Sequence, residues 1–242
     1  MAVIEIANLM KRYGELTAVA DVSFSVEDGE IFGIVGPNGA GKTTTVECVE
    51  GMRAPDSGTV RVLGLDPRRE RAAVRRYLGI QLQSSELPAR LKVWEALDLY
   101  SSFYPEPADW KRVMAEVGLE DKRNTAFGKL SGGQKQRLSI ALALVGNPRV
   151  AVFDELTTGL DPQSRRDTWA LIRSIRDRGV TIILVSHFMD EAERLCDRLA
   201  VLRAGRLAAL DTPAGIVANA SVPGVDRPTL EDAVLALTND PR

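Results

Sequence analysis

Apolar and charged positions alternate over residues 3–6 and again over 22–26, ahead of the turn Glu27-Asp28-Gly29-Glu30, and this predicts short antiparallel strands at the start of the chain. Tyr13 falls on the connection between them. Continuous apolar runs then replace alternation. Residues 31–35, 78–82, 150–153 and 181–185 each read as a buried strand of the kind found in parallel sheets. A β-branched run over 59–63 follows the turn signal Pro55-Asp56-Ser57-Gly58 and predicts one more strand. After Gln83 the period changes to that of a helix: Val93, Leu97 and Tyr100, then Val113 and Val117, predict helices over 92–104 and 110–117, separated by Pro105 and Pro107. Further helices are predicted over 138–145, 163–178, 188–195, from Pro213 to residue 219, and over 230–237, with a hairpin about Ala204-Gly205. The basic stretch 68–76, interrupted by Glu70, reads as a helix with a solvated face.

Composition narrows this picture little. With 45% apolar and 26% charged residues in 242, the chain has material for a sizeable core, and no apolar stretch reaches the length of a membrane span. A formal net charge of -2 gives no reason to expect a nucleic-acid partner. Cys48 and Cys196 lack metal-ligand spacing and read as free thiols of a reducing compartment, so a cytoplasmic location is expected.

The chemistry starts where the run 31–35 ends. Gly36-Pro37-Asn38-Gly39-Ala40-Gly41-Lys42-Thr43-Thr44 has the spacing of a phosphate-binding P-loop between a strand and a helix. Its glycines let successive N–H groups turn inward, Lys42 reaches the terminal phosphates of a nucleotide, and the Thr43 hydroxyl takes one position on Mg²⁺. Tyr13 is placed to stack on a purine ring. A second device of the same kind, Ser131-Gly132-Gly133-Gln134, stands at the start of another helix. The apolar strand at 150–153 ends in Asp154-Glu155, with Asp154 suited to hold Mg²⁺ through water and Glu155 to act as general base. The strand at 181–185 ends in Ser186-His187, and His187 is expected to contact the γ-phosphate.

Taken together, these motifs resemble the ATP-binding subunit of an ATP-binding cassette (ABC) transporter, from about residue 4 to about residue 237. The resemblance implies an α/β fold: a P-loop ATPase core with a mixed sheet, an antiparallel N-terminal β-subdomain and an inserted helical subdomain. Residues 1–242 would form one domain, with the helical subdomain over roughly 84–146 and a short C-terminal extension over 212–242. It implies Walker A at Gly36 to Thr44, a Q-loop glutamine at Gln83 that also serves the metal, and a signature at Ser131 to Gln134 that contacts ATP in trans. It further implies a D-loop holding Asp161, a switch at His187 and an adenine-stacking Tyr13. ATP and Mg²⁺ are the implied cofactors, a homodimer or paired subunit and a separate membrane permease the implied partners, and the inner face of the cell membrane the implied place of work. Residues 186–194 and 228–232 are similar to the branch of daunorubicin-type two-component exporters.

Leu156 departs from the family pattern, which has proline after the catalytic glutamate; restoring proline is expected to raise or maintain turnover. Leu87, Leu91, Val93, Trp94 and Tyr104 form a cluster expected to line a groove for a short helix of the permease. Two alternatives compete with the transport reading: a soluble ATPase of the same fold, and a nucleotide-gated regulator in which Leu156 slows hydrolysis.

Overall fold

The two strands that open the chain are longer than their alternation predicts. In the computed structural model, which describes residues 1–81, 87–222 and 224–239, β1 runs over Ala2–Tyr13 and β2 over Leu16–Glu27, paired antiparallel from Ala2 opposite Glu27 to Tyr13 opposite Leu16. The register shifts between Ile6 and Leu9, where Asn8 takes φ 49° and its side chain donates to Asp21, itself at φ 81°. Each shift turns the side-chain alternation over, so the pattern breaks although the ladder continues. Tyr13 is therefore the last residue of β1 and not part of a connection; Gly14 and Glu15 make the turn.

The remaining elements are β3 (Ile31–Val35), α1 (Lys42–Val49), β4 (Ser57–Val62), α2 (Arg71–Arg75), β5 (Leu78–Gln81), α3 (Val93–Ser101), α4 (Trp110–Glu116), α5 (Gly132–Leu144), β6 (Val150–Asp154), α6 (Pro162–Asp177), β7 (Thr181–Val185), α7 (Met189–Leu195), β8 (Arg198–Arg203), β9 (Arg206–Asp211), α8 (Pro213–Asn219) and α9 (Leu230–Thr238). Gln83, the expected Q-loop residue, lies outside the described residues.

The chain divides into two compact units, Met1–Val74 with Ile183–Arg242, and Arg75–Ile182. In the first, β2, β1 and β4 form an antiparallel sheet, while β3 pairs parallel to β8 and β8 antiparallel to β9, giving the mixed sheet the fold requires. Phe24 of β2 stacks on Phe32 of β3 with ring centroids 4.9 Å apart, an apolar contact between the two sheets. Residues 212–222 and 224–239 belong to this unit. Thr212 caps α8, Thr229 and Asp232 form a capping box on α9, and Leu230, Ala233 and Val234 are buried.

In the second unit β5 lies parallel to β6, from Leu78 opposite Val150 to Gln81 opposite Phe153. The helices α3, α4 and α5 share this unit with β5, β6 and α6, around a core that includes Leu97, Leu138, Ile140, Phe153 and Ile172. Strand β7 starts here, where the Thr181 N–H donates to the Arg149 carbonyl at 3.0 Å, and ends in the first unit.

Candidate functional site

Strand β3 delivers the chain into a loop whose backbone is closed to most residues. Gly36 and Gly41 have φ of 144° and 96°, and a Cβ on either would strike a carbonyl oxygen, that of Leu202 or that of Ala18. Ala40 is buried, its N–H donating to Pro37 at 3.2 Å and its carbonyl accepting from the Gly205 N–H at 3.0 Å, so the β8–β9 turn braces the loop. Helix α1 starts after Gly41 without a side-chain cap, which leaves its first N–H groups able to bind an anion. Asn38, Gly39 and Thr43 are exposed and Thr44 is half-buried, so this surface of the loop is accessible. Lys42 is only 8% exposed, and its Nζ donates to the carbonyls of Gly36 at 2.7 Å and Pro37 at 3.0 Å. A positive charge is thus held against the loop backbone, where a phosphate would need it.

Tyr13 belongs to the same unit. The residue is 39% exposed, with Lys11 Nζ 5.6 Å and Arg53 Cζ 5.7 Å from the ring centroid. Both cations are themselves held, Lys11 by Asp56 at 2.9 Å and Arg53 by Glu47 of α1 at 2.8 Å. An exposed aromatic residue is what a purine stack needs. Arg53 escaped the sequence reading, because nothing in the pattern sets it apart from other surface arginines.

His187 follows β7, also in this unit. The Ser186 N–H donates to the Ile34 carbonyl at 3.4 Å, so His187 follows a residue tied to the strand that feeds the P-loop. Ser186 Oγ donates to Glu191 at 2.6 Å and accepts from the Phe188 N–H at 3.0 Å, while Glu191 is fully buried. On one side of His187, Ser186 is therefore tied to a buried carboxylate, and on the other Phe188 is tied to the Ser186 hydroxyl. Glu191 stands among Asp190, Glu193 and Arg194 in the sequence, so no local signal set it apart.

In the second unit, β6 ends at Asp154, half-buried, and Glu155 takes φ 50°. A left-handed glutamate costs on the order of 1 kcal/mol and persists only where its neighbours hold it. Leu156, 1% exposed, is one of those neighbours. Leu156 is thus both a residue of the turn after β6 and a core side chain, and the burial adds a packing role that the sequence pattern did not show. Leu156→Pro should lower the stability to unfolding by about 1–3 kcal/mol through lost packing, measured by urea denaturation, and should not speed turnover.

Asp161 caps α6, its side chain accepting from the N–H groups of Gln163 and Ser164 at 3.0 Å each and from Ser164 Oγ at 2.5 Å. The Ser164 hydroxyl first, then these N–H groups, hold its carboxyl below the ordinary range. The cap is accordingly complete above that range and lost as pH falls through the lowered value.

Ser131 caps α5 through a reciprocal box, its Oγ accepting from the Gln134 N–H at 3.3 Å and its N–H donating to Gln134 Oε1 at 3.0 Å. Gly132 is open on the side a Cβ would occupy, and Gly133 stands against Ser164, whose Oγ would be 3.0 Å from such a Cβ. Ser131, Gly132, Gly133, Gln134 and Asp161 are thus brought together through Ser164.

The expected docking cluster is only partly on the surface. Val93 is fully buried, and Tyr104 lies against Gly146, so both are packing residues of the second unit. Leu87, Leu91 and Trp94 are half-buried, with Trp94 6.5 Å from the Trp110 ring.

Among the described residues no group of three or more His, Cys, Asp or Glu could hold a metal by itself. Thr43 in the first unit offers a hydroxyl and Asp154 in the second a carboxylate, each a hard oxygen donor of the kind Mg²⁺ takes beside phosphate and water, so each by itself suits that ion. Both cysteines are free and buried, and burial pushes the Cys48 thiol up to about 11. No helix among the described residues is long and apolar enough to cross a membrane.

Comparison with known proteins gives a consistent result. Residues 19–158 match the family model described as ABC transporter. The chain is 45% identical over 224 residues to the Nod factor export ATP-binding protein I of Paraburkholderia xenovorans, covering 90% of this chain and 73% of the relative. It is 40% identical to the protein of the same name from Burkholderia lata, covering 98% and 81%. Among solved structures, an ATP-binding subunit of an ABC transporter superimposes with a TM-score of 0.85 at 27% identity, over 98% of this chain and all of the other. A dimeric ATP-binding cassette in a post-hydrolysis state, bound to ADP and phosphate, does so with a TM-score of 0.77 at 25% identity, covering 86% and 98%.

Proposed function

Since the chain belongs to the ABC transporter family, as an ATP-binding subunit with ATPase chemistry, we propose that two copies enclose ATP between the P-loop of one and Ser131 to Gln134 of the other, and that hydrolysis drives export through a separate permease. The observation that carries this reading is the loop around Lys42, an ammonium held against the backbone at the uncapped start of α1. Tyr13 stacks on the adenine and Lys42 with the loop N–H groups binds the phosphates. Thr43, Asp154 and Gln83 serve Mg²⁺, which when bound neutralises charge on the phosphate oxygens.

Glu155 takes a proton from water, the water oxygen bonds to the γ-phosphorus, and the bond to the bridging oxygen breaks to leave ADP and phosphate. His187, pinned by its Ser186 and Phe188 neighbours, orients the γ-phosphate. Asp161, beside the signature through Ser164, links the hydrolytic turn to the partner copy. In this reading residues 1–242 act as one ATPase domain at the inner face of a membrane.

Export is supported by the relatives' names, and the same support sets aside a soluble or purely regulatory role. The reading is tested by assaying ATPase activity of the purified chain and of Lys42→Ala. Activity in the parent and its loss in the variant are expected, and equal rates would overturn the site.

For the permease, Leu87, Leu91 and Trp94 remain as apolar anchors of the kind that helix-in-groove docking uses. Leu91→Glu should leave ATP affinity within about two-fold of the parent and remove the chain from membranes containing the permease, measured by co-sedimentation. Undiminished membrane binding would place the docking surface elsewhere.

A further inference from the structure

Glu155 holds a backbone conformation that few residues other than glycine adopt, so something must restrain the chain on both sides of it. After it, buried Leu156 does so. Before it stands Asp154, and the Asp154 N–H donates to Gln81 Oε1 at 3.2 Å. Gln81 is the last residue of β5, in register with Phe153, and is 5% exposed although it is a primary amide in an otherwise apolar run. A buried amide is retained only where its hydrogen bonds are made, and here one of them extends the β5–β6 connection by a side-chain rung to the residue that precedes the glutamate.

We propose that Gln81 is a positioning residue for hydrolysis: its amide oxygen fixes the Asp154 backbone and so keeps Glu155 in its left-handed conformation. Gln81 touches no nucleotide atom in this role and acts through Asp154. An error of about 1 Å in a catalytic group costs as much as about 100-fold in rate, so loss of one such anchor is enough to be measured. The inference rests on Glu155 being the base.

The test uses the full chain with three substitutions. Gln81→Met keeps the shape and removes the acceptor, Gln81→Glu keeps an acceptor at the same length, and Gln81→Asn keeps the amide but is one methylene too short to reach. Gln81→Met and Gln81→Asn should each lower kcat by about 10-fold or more with KM within about two-fold, and Gln81→Glu should recover to within about three-fold of the parent. In nucleotide-free protein, hydrogen exchange at the Asp154 amide should be faster in the first two and near the parent's rate in the third. If Met and Glu variants exchange and turn over alike, or if Gln81→Met matches the parent, Gln81 is a packing residue and the proposal falls. If Gln81→Met fails to fold, Gln81→Asn and Gln81→Glu carry the same comparison. A Glu155→Gln variant made alongside separates the two claims: parent-like turnover there would remove the base itself, whereas an inactive Glu155→Gln beside a parent-like Gln81→Met would remove only the positioning role.

Discussion

Glu155→Gln should lower ATP turnover by about 100-fold or more while leaving ATP affinity within a factor of about three. The amide has the shape of the carboxylate, so the left-handed backbone at Glu155 and the burial of Leu156 next to it are undisturbed. What it lacks is the basic oxygen that takes the proton from water. With hydrolysis stopped and binding kept, the ATP-bound pair of chains has no route apart except release of intact ATP. Size-exclusion chromatography of this variant with Mg·ATP should therefore show a dimer, and with ADP a monomer. Turnover at the parent's rate would mean that another group supplies the base.

Lys42→Ala has the second large effect, and it falls on binding. The Lys42 ammonium is nearly buried and donates to the carbonyls of Gly36 and Pro37. Its removal takes away both the charge for the phosphates and a brace of the loop. Hydrogen bonds to charged groups contribute about 1.5–3 kcal/mol each, so ATP should bind about 10- to 100-fold more weakly, measured by equilibrium titration. Adenosine, which has no phosphate to meet Lys42, should bind as to the parent through Tyr13. Equal loss for both ligands would show that the substitution had collapsed the loop.

The contrast between what was and was not legible in the sequence has a physical basis. The P-loop, the Asp154-Glu155 pair and the Ser131 to Gln134 cap were readable because each depends on residue types at fixed spacing along one short backbone segment. Strands β1 and β2 were under-read because the bulge at Asn8 and Asp21 reverses the alternation while pairing continues. Burial was the harder quantity. Val93 and Leu156 are both fully apolar choices, and nothing local distinguishes a groove anchor or a turn variant from the core residues they are. Gln81 and Glu191 were overlooked for other reasons: Gln81 is one amide in an apolar run, Glu191 is one of several charged residues in a short helix, and the partner of each, Asp154 or Ser186, is identified only by the fold.

The central claim, that each ATP is completed by two copies of the chain, is tested most directly by mixing two inactive variants. Lys42→Ala disables the P-loop and Ser131→Arg disables the signature, so each alone should give no measurable ATPase activity. In a heterodimer of the two, both lesions fall on one site, and the other site keeps an intact P-loop and an intact signature. Random exchange makes about half of the dimers mixed, each with one of two sites intact, so an equimolar mixture should regain about a quarter of the parent's activity. No activity at any mixing ratio, from variants that still pair, would contradict the shared site and leave each chain acting alone.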